Sequence, residues 1–400
     1  MNQLFPQAAG VDGYQTLFQG CALNEKVRLE TGNLMRTLNL ISVPTIGPSL
    51  AFTMVYNSRA VQDTGGFGYG WIHNWHARVE PSSTAPVFVD HSGRRFTFLD
   101  NGGEWELDLS EGLFEKITLT SLPDDEWQVS YYPDGNIFQF DDTGRMLRCL
   151  DTLGNSLELT YDGGGQLLEV EENAIGVTAG RTIAFAYDTD TVTITDPLSN
   201  GWVLHLDEEG NLAEVEGPEG CVTTFTYENP EDHLITGRVD PVPRDPEEVP
   251  LVDQACAYTF GGAGQLLTVT DSRGTTVTYS YSESYEEQTA GPEVLGDSTT
   301  NFRLTTLNDA NNEDWKYVFD LTGNLRRIMD PNGHQRRFFW SPQSTLLYEA
   351  SGHLNFDPIL YRSGSGYPMG IRDQANLRFR RYKLAMICAA ICSWLWMVMG

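Results

Sequence analysis

A repeated unit with fixed internal spacing limits what this chain can fold into more than any other feature. Its clearest copy is Phe260–Tyr281, which reads as aromatic, Gly-rich turn, alternating stretch, Asp-x-x-Gly turn, alternating stretch, aromatic. The same order recurs at Phe140–Tyr161, Leu206–Tyr227 and Phe319–Trp340, with opening and closing residues always 21 apart. A period near twenty residues marks an array in which each unit buries its face on a neighbour. A Gly four positions after the opening residue (Gly144, Gly210, Gly264, Gly323) suits a turn that needs positive φ. Seven residues on stands Asp151, Gly217, Asp271 or Asp330, followed three later by Gly154, Gly220, Gly274 or Gly333. An Asp at a turn start accepts backbone N–H groups, and a Gly closes the turn. Each unit therefore predicts a β-hairpin. A stretched copy occupies Tyr161–Tyr187. The unit-end aromatics Phe140, Tyr161, Tyr227, Phe260, Tyr281, Phe319 and Trp340 are expected to pack on their counterparts one unit away.

Upstream of the array, residues 1–28 show no sustained period and read as an irregular arm. Residues 29–139 read as a meander of short strands. Leu50, Phe52, Met54 and Tyr56 alternate on one face, and Gly-rich turns separate the later runs. The array proper spans 140–340. Insertions at 240–254, with four prolines, and at 283–300, polar and acidic, read as exposed loops. Residues 341–383 read as degenerate repeat or linker, which leaves an unpaired strand edge after Trp340. No amphipathic helix is expected before residue 384. The fold class is all-β, a repetitive antiparallel hairpin array with a hydrophobic C-terminal segment of helical type.

That segment, residues 384–400, is uncharged and follows the basic positions Arg378, Arg380, Arg381 and Lys383. It is near the lower length limit for crossing a hydrocarbon core. A frame-shifted end would produce the same change of composition, and both readings stand. The N-terminus lacks a basic stretch followed by an apolar run, so no secretory signal is expected.

The net charge of −29 argues against a nucleic acid or an anionic membrane surface as the main partner. The six cysteines are scattered without C-x-x-C pairs, so neither a zinc module nor a disulfide framework is indicated.

The four units at 140–161, 206–227, 260–281 and 319–340 resemble the RHS/YD-repeat family, whose grammar is Y-D-x-x-G-x-L-x-x-V-x-D-x-x-G with a closing Tyr. Upstream, Leu29–Leu34, the Pro44–Pro48 break, Leu50–Ser58 and Gly66–Trp71 look like the region that precedes RHS repeats in bacterial polymorphic toxins. The resemblance implies a spiralling β-shell that encloses a C-terminal effector or toxin. It further implies delivery by secretion machinery or display at the cell surface. The chain has few units, and no toxin-like domain follows them, so it looks like the N-terminal part of such a protein. An effector encoded downstream or in trans and secretion-system components are the expected partners. Membrane contact would run through 384–400.

No catalytic signature is present: there is no G-x-S-x-G elbow, Walker loop or H-E-x-x-H helix. A non-catalytic chain without cofactor is expected. His73 and His76 stand at H-x-x-H spacing. Strand geometry would place them on opposite faces, which favours packing beside Trp71 and Trp75 over metal binding. The acidic runs Asp124–Glu126, Asp207–Glu209 and Glu247–Glu248 read as solvated turn residues. The alternative function is carbohydrate binding or adhesion at a cell surface, with Trp71 or Trp75 as the stacking platform.

Overall fold

The computed structural model describes residues 17–19, 25–91, 93–108, 116–132, 135–176, 180–240, 254–285, 302–321, 323–340, 346–353, 359–362 and 368–371. Strands dominate them. The only helical elements among the described residues are single 3₁₀ turns at Pro123–Asp125, Pro230–Asp232 and Gly262–Gly264. The chain is all-β, a long series of antiparallel hairpins.

Two compact units divide the chain between Val277 and Thr278. The first contains two sheets. One is five-stranded, in the order β1 (Leu17–Gln19), β2 (Glu25–Arg28), β3 (Asn33–Val43), β4 (Leu50–Asn57) and β5 (Trp71–His73). Two of these strands lie inside the arm expected to be irregular. There, Glu25 and Val27 point inward while Lys26 faces out. A buried carboxylate concealed that alternation.

The other series begins at Arg78–Glu80, and each strand pairs with the next in sequence as far as Leu266–Asp271. Such a meander puts successive turns on alternate edges. The turns around Gly144, Gly210 and Gly264 share one edge, and those around Gly154, Gly220 and Gly274 share the other. Bulges recur at the same place in each repeat, before Phe140, Tyr161, Leu206 and Phe260. They bend the strand as it enters its turn.

The second unit continues the pattern from Thr278. The strand expected to end at an insertion from residue 283 runs on to Tyr285, which pairs with Phe302. His334–Trp340 is not an open edge: it pairs with Leu346–His353, and strands follow at Ile359–Arg362 and Pro368–Ile371. Backbone pairing needs no repeat signature, so the ladder outlasts the motif. Tyr279, Leu307, Val318, Phe319, Leu325 and Phe338 are among the buried core residues of this unit. All of 241–253, all of 286–300 and the tail 384–400 lie outside the described residues. No helix among the described residues is long and apolar enough to cross a membrane.

Candidate functional site: the N-terminal sheet clasped by the hairpin array

The repeat turns are built alike. Where an Asp opens the turn, its carboxylate accepts backbone N–H groups ahead of it, in most cases those two and four residues on. Asp151 accepts those of Leu153 and Asn155, Asp207 those of Glu209 and Asn211, and Asp271 those of Arg273 and Thr275. Asp141 and Asp162 do the same, so the Asp after the unit-end aromatic caps its turn as well. Asp330 accepts from His334 N–H. All eight repeat glycines have positive φ: Gly144, Gly154, Gly210, Gly220, Gly264, Gly274, Gly323 and Gly333 lie between +73° and +90°.

Beyond φ, the two edges of the array differ. Cβ atoms on Gly154, Gly220 and Gly274 would meet open space. On Gly144 a Cβ would collide with the Val79 carbonyl, and on Gly264 with the Ser58 carbonyl. At Gly210 it would stand 3.4 Å from the Tyr69 ring. These three glycines are where the N-terminal region seats on the array. Val79 N–H donates to Gly144 O (2.9 Å), Tyr69 N–H to Gly210 O (3.2 Å), and the Ser58 hydroxyl to Gly264 O (2.8 Å). Leu266 N–H returns a bond to Gly32 O (2.9 Å).

Around these anchors the segment Asn57–Gly70 lies along the turns. The Tyr69 ring stacks on His233 at 3.7 Å, and the Tyr56 hydroxyl donates to His233 O (3.0 Å) and accepts Ile235 N–H (3.2 Å). Aromatic contacts continue inward. Phe52 meets Phe67, Trp75 and Phe185 at 5.0–5.8 Å, and Trp71 meets Phe225 at 5.3 Å. Trp71 and Trp75 are 0% and 4% exposed. Neither can present a ring to a sugar, which removes the expected stacking platform.

Across the sheet from Tyr56, whose register partner is Arg36, lies a buried ionic cluster. Glu25 on β2 and Arg36 on β3 face Arg238, Asp240 and Tyr258 of the array. Arg238 Nε lies 2.7 Å and Arg36 3.4 Å from Glu25 Oε1, and Arg36 also reaches Asp240 Oδ1 at 2.8 Å. Arg238 pairs with Asp240, and the Tyr258 hydroxyl donates to Glu25. Burial lowers the Arg36 pKa to about 10, with Arg238 adding repulsion and Glu25 opposing both. Cys256, whose sulfur accepts from Arg238 at 2.8 Å, is disulfide-bonded. Nothing in the repeat grammar marked these residues. The available signal was charge at inward strand positions.

His73 and His76 do not flank a continuous strand. The chain turns at Asn74–Trp75, His76 N–H donates to His73 O (2.9 Å), and the two rings stand 5.6 Å apart. The strand assumption failed because β5 ends at His73. Both histidines are held neutral. Burial, then His76, pushes the His73 pKa well down; burial, then Arg78, brings His76 to about 4 against the pull of Asp63. No cluster of three or more metal-ligating side chains occurs among the described residues, and Glu247–Glu248 lie outside them.

The unit-end aromatics take varied roles. Phe140 is fully buried against Phe88 at 5.9 Å, and Phe319 is fully buried. Tyr161 and Tyr227 instead donate their hydroxyls to Met146 O (2.7 Å) and Leu212 O (3.0 Å), each fifteen residues back in its own unit. Phe260 and Tyr281 are half-buried, and the Trp340 side chain lies outside the described set.

Three comparisons bear on this arrangement. Residues 24–98 match the family described as domain of unknown function DUF6531. Over 169 residues, 40% of this chain and 12% of the relative, the sequence is 28% identical to "Toxin protein Tse5" of Pseudomonas aeruginosa. Among solved structures, TcdB2-TccC3-TEV aligns with 88% of this chain and 17% of its own at 13% identity and a TM-score of 0.38. The Tc holotoxin pore of Photorhabdus luminescens aligns with 88% and 17% at 13% identity and a TM-score of 0.28. The chain thus spans about an eighth of the curated toxin it matches. The segment seated in the array coincides with a DUF6531 domain, in a chain similar over two fifths of its length to a bacterial toxin protein.

Proposed function

We propose that this chain is the shell-forming, non-catalytic part of an RHS-type toxin protein, and that its hairpin array encloses an effector domain for delivery to another cell. The observation that carries the proposal is the clasp. A DUF6531 segment is fixed by three turn glycines and a buried ion cluster to an array of Asp-turn hairpins, which makes a wall of one defined end. A wall built from nearest-neighbour hairpins can be extended without redesign, as an enclosure requires. Delivery outside the producing cell, by secretion or surface display, belongs to the same proposal. So does an effector joined to the chain or supplied as a second polypeptide.

The test is to express this chain with the coding region that follows it at its native locus and to treat the purified product with trypsin. Enclosure predicts that the following segment survives while it remains with the array and is digested within minutes when made alone. Equal digestion in both forms would remove the proposal. Hydrolytic or transferase activity in the purified 400-residue chain would remove the non-catalytic assignment.

A further inference from the structure

The array edge left open by Gly154 and Gly220 carries an apolar rim. Leu153 is 74% exposed, Ile175 69% and Leu198 82%, each at the tip of a successive turn on that edge. Ile46, 70% exposed, joins them from the β3–β4 tip, where Gly47 packs against Asn155. The turns are tied together, since Ile175 N–H donates to Asn155 Oδ1 at 3.0 Å. Three large apolar side chains raised from successive turns of one array edge, with Ile46 beside them at an interface already formed, mark an interaction surface.

Geometry and charge indicate what fits there. Consecutive tips are two strands apart, about 9.6 Å. Seven residues of α-helix rise about 10.5 Å. A helix laid along the rim with an apolar residue every seventh position would meet Leu153, Ile175 and Leu198 in turn. Asp151, Asp196 and Glu219 stand on turns of this edge, and Arg181 is already paired with Glu172. In a chain of net charge −29 this rim favours a cationic partner and disfavours a second copy of itself. We propose that the rim docks a cationic amphipathic α-helix of another polypeptide, reading apolar side chains at heptad spacing.

The test uses the full chain and a synthetic Lys/Ala helix of about three heptads with one Leu per heptad. Its isomer has the same composition, with the leucines scattered around the helix. Fluorescence anisotropy should show saturable binding of the first peptide and at least about ten-fold weaker binding of the isomer. The double variant Leu153→Ser, Leu198→Ser should weaken binding at least about ten-fold, given what burial of two leucines contributes. Leu99→Ser, an exposed leucine elsewhere (46%), should leave it unchanged. Equal binding of both peptides, no saturable binding, or an unaffected double variant would overturn the proposal. So would wild-type self-association, or phosphatidylcholine vesicle binding, that the double variant abolishes while peptide discrimination is absent. The exposed positions keep folding out of the comparison, and circular dichroism checks it.

Discussion

Gly264 and Gly274 sit at nearly the same torsion, φ +73° and +79°, yet only the first has a carbonyl where its Cβ would go. Alanine at Gly274 meets only the cost of a left-handed residue, about 1 kcal/mol. Alanine at Gly264 adds displacement of the Ser58 carbonyl and should cost about 3 kcal/mol or more. Urea denaturation of the two variants checks this, and equal midpoints would contradict the close approach. The torsion was legible in the sequence, because a repeated Gly in a short turn has few other uses. The collision was not, because its partner lies 206 residues away. His76 allows a second measurement. Its folded pKa, about 4, is below the unfolded 6.5, so its contribution is intact above pH 6.5 and is lost as pH falls toward 4. His76→Asn should remove of order 2 kcal/mol of the loss across that window and leave the part that His73 contributes. An unchanged pH profile would show that the ring is accessible to protons in the fold.

Among the hairpins, the turn Gly217–Cys221 lacks the shared carboxylate, as does Gly261–Gln265. Gly217 takes the place held by Asp151, Asp271 and Asp330, yet the same backbone bonds form: Gly217 N–H to Cys221 O and Gly220 N–H to Gly217 O, both 2.9 Å. A Cβ there meets nothing closer than 3.6 Å. Gly217→Asp should therefore raise stability by about 0.5–1 kcal/mol, through two new acceptor bonds and a stiffer unfolded chain. A fall in melting temperature would refute the turn equivalence. The carboxylates in these turns also set an acid limit. At Asp151 burial alone would raise the pKa, but the Asn155 amide and backbone N–H groups outweigh it and hold it low. At Asp271 the Thr275 N–H leads. Stability from these turns persists above the usual carboxylate range and is lost as pH falls through the lowered values. Strands and turns were legible because alternation and Asp-x-x-Gly spacing act locally. The two strands of residues 17–28 were not, because Glu25 reads as a surface residue until Arg36 and Arg238 are brought to it.

Across the molecule, attachment of the N-terminal sheet rests on charges as well as rings. Breaking a buried pair leaves an uncompensated charge, which typically costs 3–5 kcal/mol. Glu25→Gln leaves two buried guanidinium groups, Arg238 (1% exposed at its side chain) and Arg36, to share the single carboxylate of Asp240, and should release β2 and β3 before the hairpins unfold. Hydrogen exchange would show residues 25–43 losing protection first. Uniform loss across residues 140–275 as well would mean that the sheet and the array fold as one cooperative unit. The array was readable from its period, but the sheet that occupies it was not, since its contacts have no period to read. The two edges also differ in what they tolerate. Each strand pairs with its two neighbours, and in the turn Gly217–Cys221 a Cβ on Gly217 or Gly220 would meet nothing closer than 3.6 Å. A single protease cut at Pro218–Gly220 would therefore leave both fragments held by the ladders on either side. The nicked protein would migrate as one particle under native conditions and as two bands after denaturation. Continuity of the backbone and continuity of the wall are separable in this molecule.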